Sequence, residues 1–215
     1  MVSTSALLGV ALVELGLVLT PGPNMVYLVS RSITQGRRAG LISLSGVAAG
    51  FFVYLALTAA GLAAFFVVVP AAYTALKLAG AAYLLYLAWQ AVRPGGTNVF
   101  APRALPVERP RRLFAMGLFT NLLNPKVAIL YLALIPQFID PAAGDVVAQG
   151  FQLGAVQIVV GVTVNGAIIL AAGSIAALLR RKPMWVRWQK WVTGTALGAI
   201  GVKLAFDAPA PAVSH

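Results

Sequence analysis

A hydrophobic stretch near the beginning of this chain is interrupted by Leu19-Thr20-Pro21-Gly22-Pro23-Asn24, and a later one by Asn121-Leu122-Leu123-Asn124-Pro125-Lys126. A proline inside a helix removes one backbone hydrogen bond and pushes away the carbonyl group four residues earlier. The carbonyl groups concerned here belong to Leu17, Leu19 and Asn121. In hydrocarbon, a polar group without a partner is costly, so such a break persists only where protein or a water-filled cavity satisfies it. Two interruptions in corresponding halves of a chain indicate the binding site of a small transporter.

The composition is that of a membrane protein. Of the 215 residues, 60% are hydrophobic and 10% are charged, against about 25% charged residues in soluble domains, and the mean hydropathy is +0.89. The formal net charge is +11, but thirteen of the sixteen basic residues fall in three segments, 31–38, 93–112 and 180–190. Because each segment lies between hydrophobic stretches, the charge follows the positive-inside pattern and does not indicate nucleic-acid binding.

The sequence lacks the residue types that several kinds of catalytic and metal site require. There is no cysteine, and the only histidine is His215. Disulfides, thiolate or imidazole metal sites and a Ser-His-Asp triad are therefore excluded, and the sequence has no evident nucleophile–base pair. We expect no catalytic residue, no metal and no cofactor, and hence a protein that is not an enzyme.

The hydrophobic stretches predict six membrane spans, since a span needs about 20 residues. They cover residues 5–30, 40–66, 71–92, 113–138, 149–179 and 191–207. Every second connection is basic, which places these connections in the cytoplasm and both termini outside it. Residues 93–112 contain several prolines and glycines and are predicted to be a cytoplasmic linker between two halves.

Each half contains three spans, and an odd number makes the two halves run in opposite senses across the membrane. We therefore predict an all-α integral membrane protein with a 3+3 inverted repeat, in which spans one and four are broken. The first three-helix repeat covers residues 1–92 and the second covers residues 113–215. Gly46 and Gly50 in span two correspond to Gly150 and Gly154 in span five, although small residues four apart also serve close helix packing in lipid.

The two breaks form the predicted substrate site. Proline is tolerated at the first helical position, which makes Gly22 and Asn124 the N-caps of two half-helices that begin inside the membrane. Their positive ends would bind an anion, commonly a substrate carboxylate in transporters. The predicted substrate-binding residues are Gly22, Pro23, Asn24, Asn121, Asn124, Pro125 and Lys126. Lys126 adds a full positive charge, and a structural kink without a ligand is the alternative.

Glu14 is the only acidic residue deep within any predicted span. An ionisable group at membrane depth is costly and therefore indicates a function. Burial disfavours the charged form of a carboxyl group, so Glu14 is a candidate for carrying a coupling proton, and equally one for binding a substrate ammonium group. A structural carboxyl group that pairs with a lysine is the alternative. Gln157, Thr163 and Asn165 are polar residues that either line a path or bond a neighbouring helix.

Motifs along essentially the whole chain resemble those of one known family. They are Pro21-Gly22-Pro23-Asn24, Gln35-Gly36-Arg37-Arg38-Ala39-Gly40-Leu41, Gly46-Val47-Ala48-Ala49-Gly50, Gly80–Leu87, Phe114-Ala115-Met116-Gly117, Asn121 and Asn124-Pro125-Lys126. They look like the signature of the lysine and homoserine/threonine exporter family. The resemblance implies a multi-pass protein of the bacterial inner membrane that exports amino acids or close derivatives by proton antiport. It does not indicate which amino acid, and Glu14 is not part of the motif.

The leading hypothesis is therefore secondary active export of amino acids from the cytoplasm. Lys126 and the half-helix ends would hold the substrate carboxylate, and Glu14 would take the ammonium group or the coupling proton. The alternative is transport of a small inorganic ion or another small metabolite, although metal export normally uses His, Cys or several carboxylates. The expected partners are the substrate, protons and the lipid bilayer, and the glycine-rich spans are compatible with a homo-oligomer.

Overall fold

The computed structural model describes residues 2–58, 70–93, 105–181 and 183–206, and this part of the chain is helical without β-strands. Its α-helices are α1 (Thr4–Leu19), α2 (Pro23–Gln35), α3 (Arg37–Leu57), α4 (Pro70–Val92), α5 (Pro110–Leu122), α6 (Pro125–Ile129), α7 (Val146–Arg181) and α8 (Pro183–Phe206). After α6 the chain continues as a π-helix, Leu130–Leu134, and as 3₁₀ turns at Ile135–Phe138 and Pro141–Ala143.

Two of the described helical segments, Arg37–Leu57 and Val146–Ile175, are each long and apolar enough to cross a membrane. Two bent pairs of helices are also long and apolar enough when each pair is taken as one span: Thr4–Leu19 with Pro23–Gln35, and Pro110–Leu122 with Pro125–Phe138. The described ranges therefore contain up to four segments that could cross a membrane. The expected all-α membrane protein is thus confirmed, whereas six spans in two inverted repeats stay a prediction.

Both proline-containing stretches break a helix, as the sequence predicts. The axes of α1 and α2 are bent by 56°, and those of the second pair by 50°. Pro23 and Pro125 are the first residues of α2 and α6, and Gly22 and Asn124 are their N-caps. The Asn124 side chain accepts a hydrogen bond from the Lys126 backbone N–H at 3.1 Å. The chain therefore restarts a helix after each break without leaving the bundle.

Close contact between α3 and α5 sets the position of the second break. Gly46 lies against the Phe114 carbonyl group and Gly117 against the Ser43 carbonyl group, so near that a Cβ atom on either glycine would overlap the facing backbone. Small residues allow helix backbones to approach in this way inside a membrane. The other main packing pairs are α4 with α8, α1 with α7, and α2 with α3.

Two of the three basic connections lie together on one side of the bundle. Helices α2 and α3 are joined at Gly36 alone, whose φ of +91° favours glycine because it has no Cβ atom. Nearby, Arg31 donates a hydrogen bond to the Pro106 carbonyl at 2.8 Å. The Gln35 side chain donates to the Glu108 carbonyl at 2.6 Å and accepts from its N–H at 3.0 Å. The end of span one and the end of the linker are therefore in direct contact.

The amino-terminal end lies at the opposite end of α7. The Val2 N–H donates to the Gln152 side chain, near the start of α7, at 3.3 Å. Ser32, at the other end of span one, donates to the Ile169 carbonyl seventeen residues further along α7, at 2.7 Å. Span one thus runs along α7 from one side of the bundle to the other.

Several helix boundaries differ from the predicted spans. Helix α5 begins at Pro110 inside the predicted linker, and α8 begins at Pro183 rather than near residue 191. Proline suits both positions because the first helical residue needs no N–H donor. Residues 59–66 of span two, residues 67–69 of the connection that follows it and residues 94–104 of the linker lie outside the described residues.

Candidate functional site

A small buried cavity lies where the two broken helices meet. Its polar wall consists of Glu14, Asn24, Lys126 and Asn165. Its apolar wall consists of Leu17, Val18, Met25, Phe51, Val127 and Leu130. The cavity has a volume of about 20 Å³, which suffices for about one water molecule. An amino acid does not fit into this volume, so its binding needs the walls to separate.

Lys126 connects the second break to the first. Its side chain is 8% exposed, and its ammonium group donates to the Leu17 carbonyl at 2.6 Å and to the Thr20 carbonyl at 3.0 Å. The Leu17 carbonyl is one that Pro21 prevents from forming its helical bond. A Cβ atom on Gly22 would lie 3.1 Å from the ammonium nitrogen. Glycine at position 22 therefore leaves room for the lysine to reach the broken backbone.

Glu14 lies in the same cavity wall but does not pair directly with Lys126. Its side chain is 4% exposed, and it forms no ion pair within 4.0 Å, a distance that only Glu108 and Arg112 reach among the described residues. A Cβ atom added to Gly161 would lie 2.7 Å from a Glu14 carboxyl oxygen. One carboxyl group and one amino group thus face the cavity from different helices.

Asn24 adds an unused acceptor beside these charges. It follows Pro23 in the first turn of α2, is 7% exposed and lines the cavity. Its Oδ1 atom is buried and has no hydrogen-bond partner. Because buried polar atoms are rarely left unpaired, this oxygen is available for a donor inside the cavity.

The remaining predicted site residues do not line the cavity. Asn124 caps α6, and Pro23 and Pro125 begin their helices. Asn121 is fully buried, but it packs under α3, where a Cβ atom on Gly50 would approach its Oδ1 to 2.5 Å. Neither of its amide atoms has a hydrogen-bond partner. The breaks therefore position the site through these residues, while the cavity wall comes from their neighbours.

A family model described as LysE type translocator matches residues 15–208 of the chain. This protein belongs to the LysE type translocator family. A homoserine/homoserine lactone efflux protein of Salmonella typhimurium is 35% identical over 162 residues, which cover 75% of this chain and 78% of the relative. A leucine efflux protein of Salmonella choleraesuis is 30% identical over 127 residues, covering 59% and 60% of the two chains. No solved structure matches.

Family membership confirms the resemblance that the motifs carry. A LysE type translocator is a transporter and not an enzyme. An uncharacterized membrane protein of Pseudomonas aeruginosa is 28% identical over 195 residues, covering 87% of this chain and 89% of the relative. The similarity therefore extends over both broken helices, and the chain is a multi-pass membrane protein of this family.

Helix α7 of this translocator turns a polar face toward the cavity, which the sequence alone indicates only through scattered polar residues. Gln157, Gly161 and Asn165 are spaced four residues apart and so share one helix face. Gln157 is fully buried, and Asn165 is 4% exposed and lines the cavity. Thr163 is exposed and contributes nothing to this face. A polar, small, polar pattern at this spacing is the signal in the sequence that could have identified it.

An aromatic pair extends this polar face toward the second break. The Tyr131 hydroxyl donates to the Gln157 side chain at 2.6 Å. The Tyr131 ring stacks on that of Tyr54, with centroids 5.3 Å apart. The Tyr54 hydroxyl in turn donates to the Leu122 carbonyl, at the end of α5, at 2.9 Å. Gln157, which lies next to Glu14, is thereby linked through the two tyrosines to the break of span four.

Proposed function

We propose that this translocator is a secondary active exporter of amino acids or close derivatives from the cytoplasm, driven by proton antiport across the bacterial inner membrane. The observation that carries the proposal is the cavity at the two breaks, which presents Glu14 and Lys126 without a direct ion pair between them. An α-amino acid carries the two complementary charges on groups attached to the same carbon atom. Relatives named as homoserine and leucine efflux proteins support the same class of substrate.

In this proposal the substrate carboxylate binds Lys126 and the substrate ammonium binds Glu14. The unpaired Asn24 oxygen accepts a second hydrogen bond from the ammonium group. The positive end of α2 lies next to Lys126 and favours the carboxylate there. Since α6 is regular α-helix only from Pro125 to Ile129 before it changes to a π-helix, we assign the attraction on that side to the lysine charge and not to the helix dipole.

Lys126 has alternative partners in the absence of substrate. In this structure its ammonium group donates to the carbonyl groups of Leu17 and Thr20. A substrate carboxylate competes with these two acceptors. Substrate binding therefore loosens the contact between the breaks of the two halves, at the place where the chain is already bent by 56° and 50°.

The proton and the substrate ammonium group compete for Glu14, and this competition couples proton entry to amino-acid export. A buried carboxylate without a direct cation is costly, and either a proton or a substrate ammonium relieves that cost. When the site faces the cytoplasm, the amino acid binds and the proton leaves to the cytoplasm. When the site faces outward, a proton binds Glu14 and the amino acid leaves. Because the same carboxyl group binds the amino acid on the way out and the proton on the way in, the two movements are coupled as antiport.

The architecture that we propose for this cycle is the 3+3 inverted repeat. Span one packs on span five through α1 and α7, and span two packs on span four through α3 and α5. Exchanging the two repeats converts each of these contacts into the other. Helices α4 and α8 are 23 and 24 residues long and pack together as spans three and six, above the length of about 20 residues that a bilayer requires.

The proposed orientation places the basic side in the cytoplasm and both termini outside. The contacts of Arg31 with Pro106 and of Gln35 with Glu108 bring two basic segments to one side of the bundle. The positive-inside rule then assigns that side to the cytoplasm.

Transport of a small inorganic ion fits this cavity less well. The Lys126 ammonium group repels a small cation, and the Glu14 carboxylate repels a small anion. A solute with both charges satisfies both groups at once. This charge argument favours an amino acid over either kind of ion.

Glu14→Gln tests the proposal, because it removes the charge and the titration while keeping size and hydrogen bonding. The purified protein is reconstituted in liposomes, and both uphill transport driven by a pH gradient and exchange of labelled amino acid are measured. We expect both activities to fall if Glu14 binds the ammonium group as well as the proton. Loss of uphill transport with intact exchange would restrict Glu14 to the proton.

Glu108→Gln is the matched control. Glu108 pairs with Arg112 at 3.1 Å, away from the cavity, so this variant should keep both activities. Normal pH-driven transport in Glu14→Gln would remove the residue from the mechanism.

A further inference from the structure

The cavity wall contains one acidic and one basic side chain. Glu14 and Lys126 are the ionisable side chains that line it, and Asn24 and Asn165 are its neutral polar ones. A bound zwitterion adds one ammonium and one carboxylate group, and each of these has a partner of opposite charge in the wall. Among the described residues that line the cavity, none is left to pair with a third charged group.

The rest of the wall is apolar, and three of its residues project from three different elements. Met25 projects from the first turn of α2, Phe51 from α3, and Leu130 from the segment after α6. All three are almost completely buried. Phe51 also lies next to the carboxyl end of the site, because a Cβ atom on Gly161 would be 3.4 Å from its ring and 2.7 Å from the Glu14 carboxyl. A substrate held by its two charged groups must therefore direct its side chain at apolar surface.

From this wall we infer that the site selects amino acids with an uncharged, mainly apolar side chain, and that Met25, Phe51 and Leu130 contact that side chain. The inference rests on the proposed amino-acid export and narrows its substrate class. A lysine or glutamate substrate brings a third charge into a water-poor cavity without a partner, which is costly at membrane depth. Methionine and aromatic walls adapt to unbranched and branched apolar groups alike.

The first test measures substrate choice in the wild-type protein. Liposomes that contain the protein are loaded with unlabelled leucine. The exchange of this internal leucine for external labelled leucine, methionine, homoserine, lysine or glutamate is then measured. We expect exchange of the neutral amino acids, and rates for lysine and glutamate lower by at least about tenfold, the ratio that corresponds to a modest cost of burying a charge. Exchange of lysine or glutamate at the rate of leucine would overturn the inference.

The second test adds the missing charge to the wall. Met25 is the third residue of α2, a position where glutamate is favourable because it faces the positive helix end. Met25→Glu should raise the ratio of lysine to leucine exchange by several-fold, because the new carboxylate pairs with the lysine side chain. Met25→Gln has nearly the same shape without the charge and should raise the ratio much less than Met25→Glu.

The outcomes separate this inference from the proposed function. If no amino acid is exchanged by a folded protein, as judged by its thermal unfolding, amino-acid export itself is wrong. If neutral amino acids are exchanged, but lysine exchanges equally well or Met25→Glu and Met25→Gln behave alike, export stands and the assignment of the apolar wall is wrong.

Discussion

Replacing Lys126 with methionine removes the only basic side chain that lines the described cavity while keeping an unbranched chain of similar length. In this structure the lysine donates to two carbonyl groups of the first break, at 2.6 and 3.0 Å. In the proposed loaded state it donates to the substrate carboxylate. The substitution therefore acts on substrate binding and on the contact between the two halves.

The two effects have different sizes. A hydrogen bond with a charged partner contributes about 1.5–3 kcal/mol, and about 1.4 kcal/mol corresponds to a factor of ten, so affinity for the amino acid should fall roughly 10- to 100-fold. Stability should change less. Leaving the Thr20 carbonyl without its partner costs about 1–3 kcal/mol, but the variant no longer buries an ammonium group, and this gain opposes the loss.

Exchange of labelled leucine in liposomes measures the first effect, and thermal unfolding in detergent measures the second. Lys203→Met is the matched control, because Lys203 is exposed on α8 and should tolerate the same change. Lys126→Arg should also be impaired, since the planar guanidinium group does not replace a compact ammonium group in the space left by Gly22.

A Lys126→Met protein that binds and exchanges leucine like the wild type would refute this reasoning. The lysine would then serve only to satisfy the broken backbone, and the substrate carboxylate would have to bind elsewhere.

Two further predictions concern the environment of Glu14 and the orientation of the chain. Gly161→Ala places a methyl group 2.7 Å from the Glu14 carboxyl oxygen, so it should reduce exchange several-fold, whereas Gly173→Ala enters open space and should not; equal exchange in the two variants would contradict the packing argument. Because the chain has no cysteine, a single cysteine can be placed at Ala6 or at Arg181 and labelled with a membrane-impermeant maleimide in intact cells. We expect labelling at position 6 and protection at position 181, and the reverse pattern would invert the proposed orientation.

The two breaks could be predicted from local chemistry alone. A proline residue lacks the N–H that continues a helix, and its ring displaces the carbonyl group four residues earlier, whatever surrounds it. This effect accounts for the positions of both bends and for the N-caps at Gly22 and Asn124. Hydrophobicity and the distribution of basic residues likewise depend only on the sequence, and they predicted a membrane protein with no reference to packing.

Which residues line the cavity could not be predicted in the same way. Asn121 and Lys126 lie in the same short stretch, yet the first packs under Gly50 and the second reaches the cavity. Which face of a broken helix turns inward depends on the angle of the bend and on the helices that pack beside it. The close contact of α3 with α5 decides it here.

The sequence by itself determined that Glu14 and Lys126 are unusual, because a charge at membrane depth is costly and so rarely kept without a function. It also determined that the Leu17 carbonyl needs a partner, because Pro21 removes its helical one. Only the tertiary structure decided that Lys126, 109 residues away along the chain, joins the Thr20 N–H as a donor to this carbonyl, and that Glu14 lines the same cavity without pairing with it. The physical reason is that side-chain contacts between distant segments arise from the packing of all the helices, and no local rule of propensity or capping contains that information.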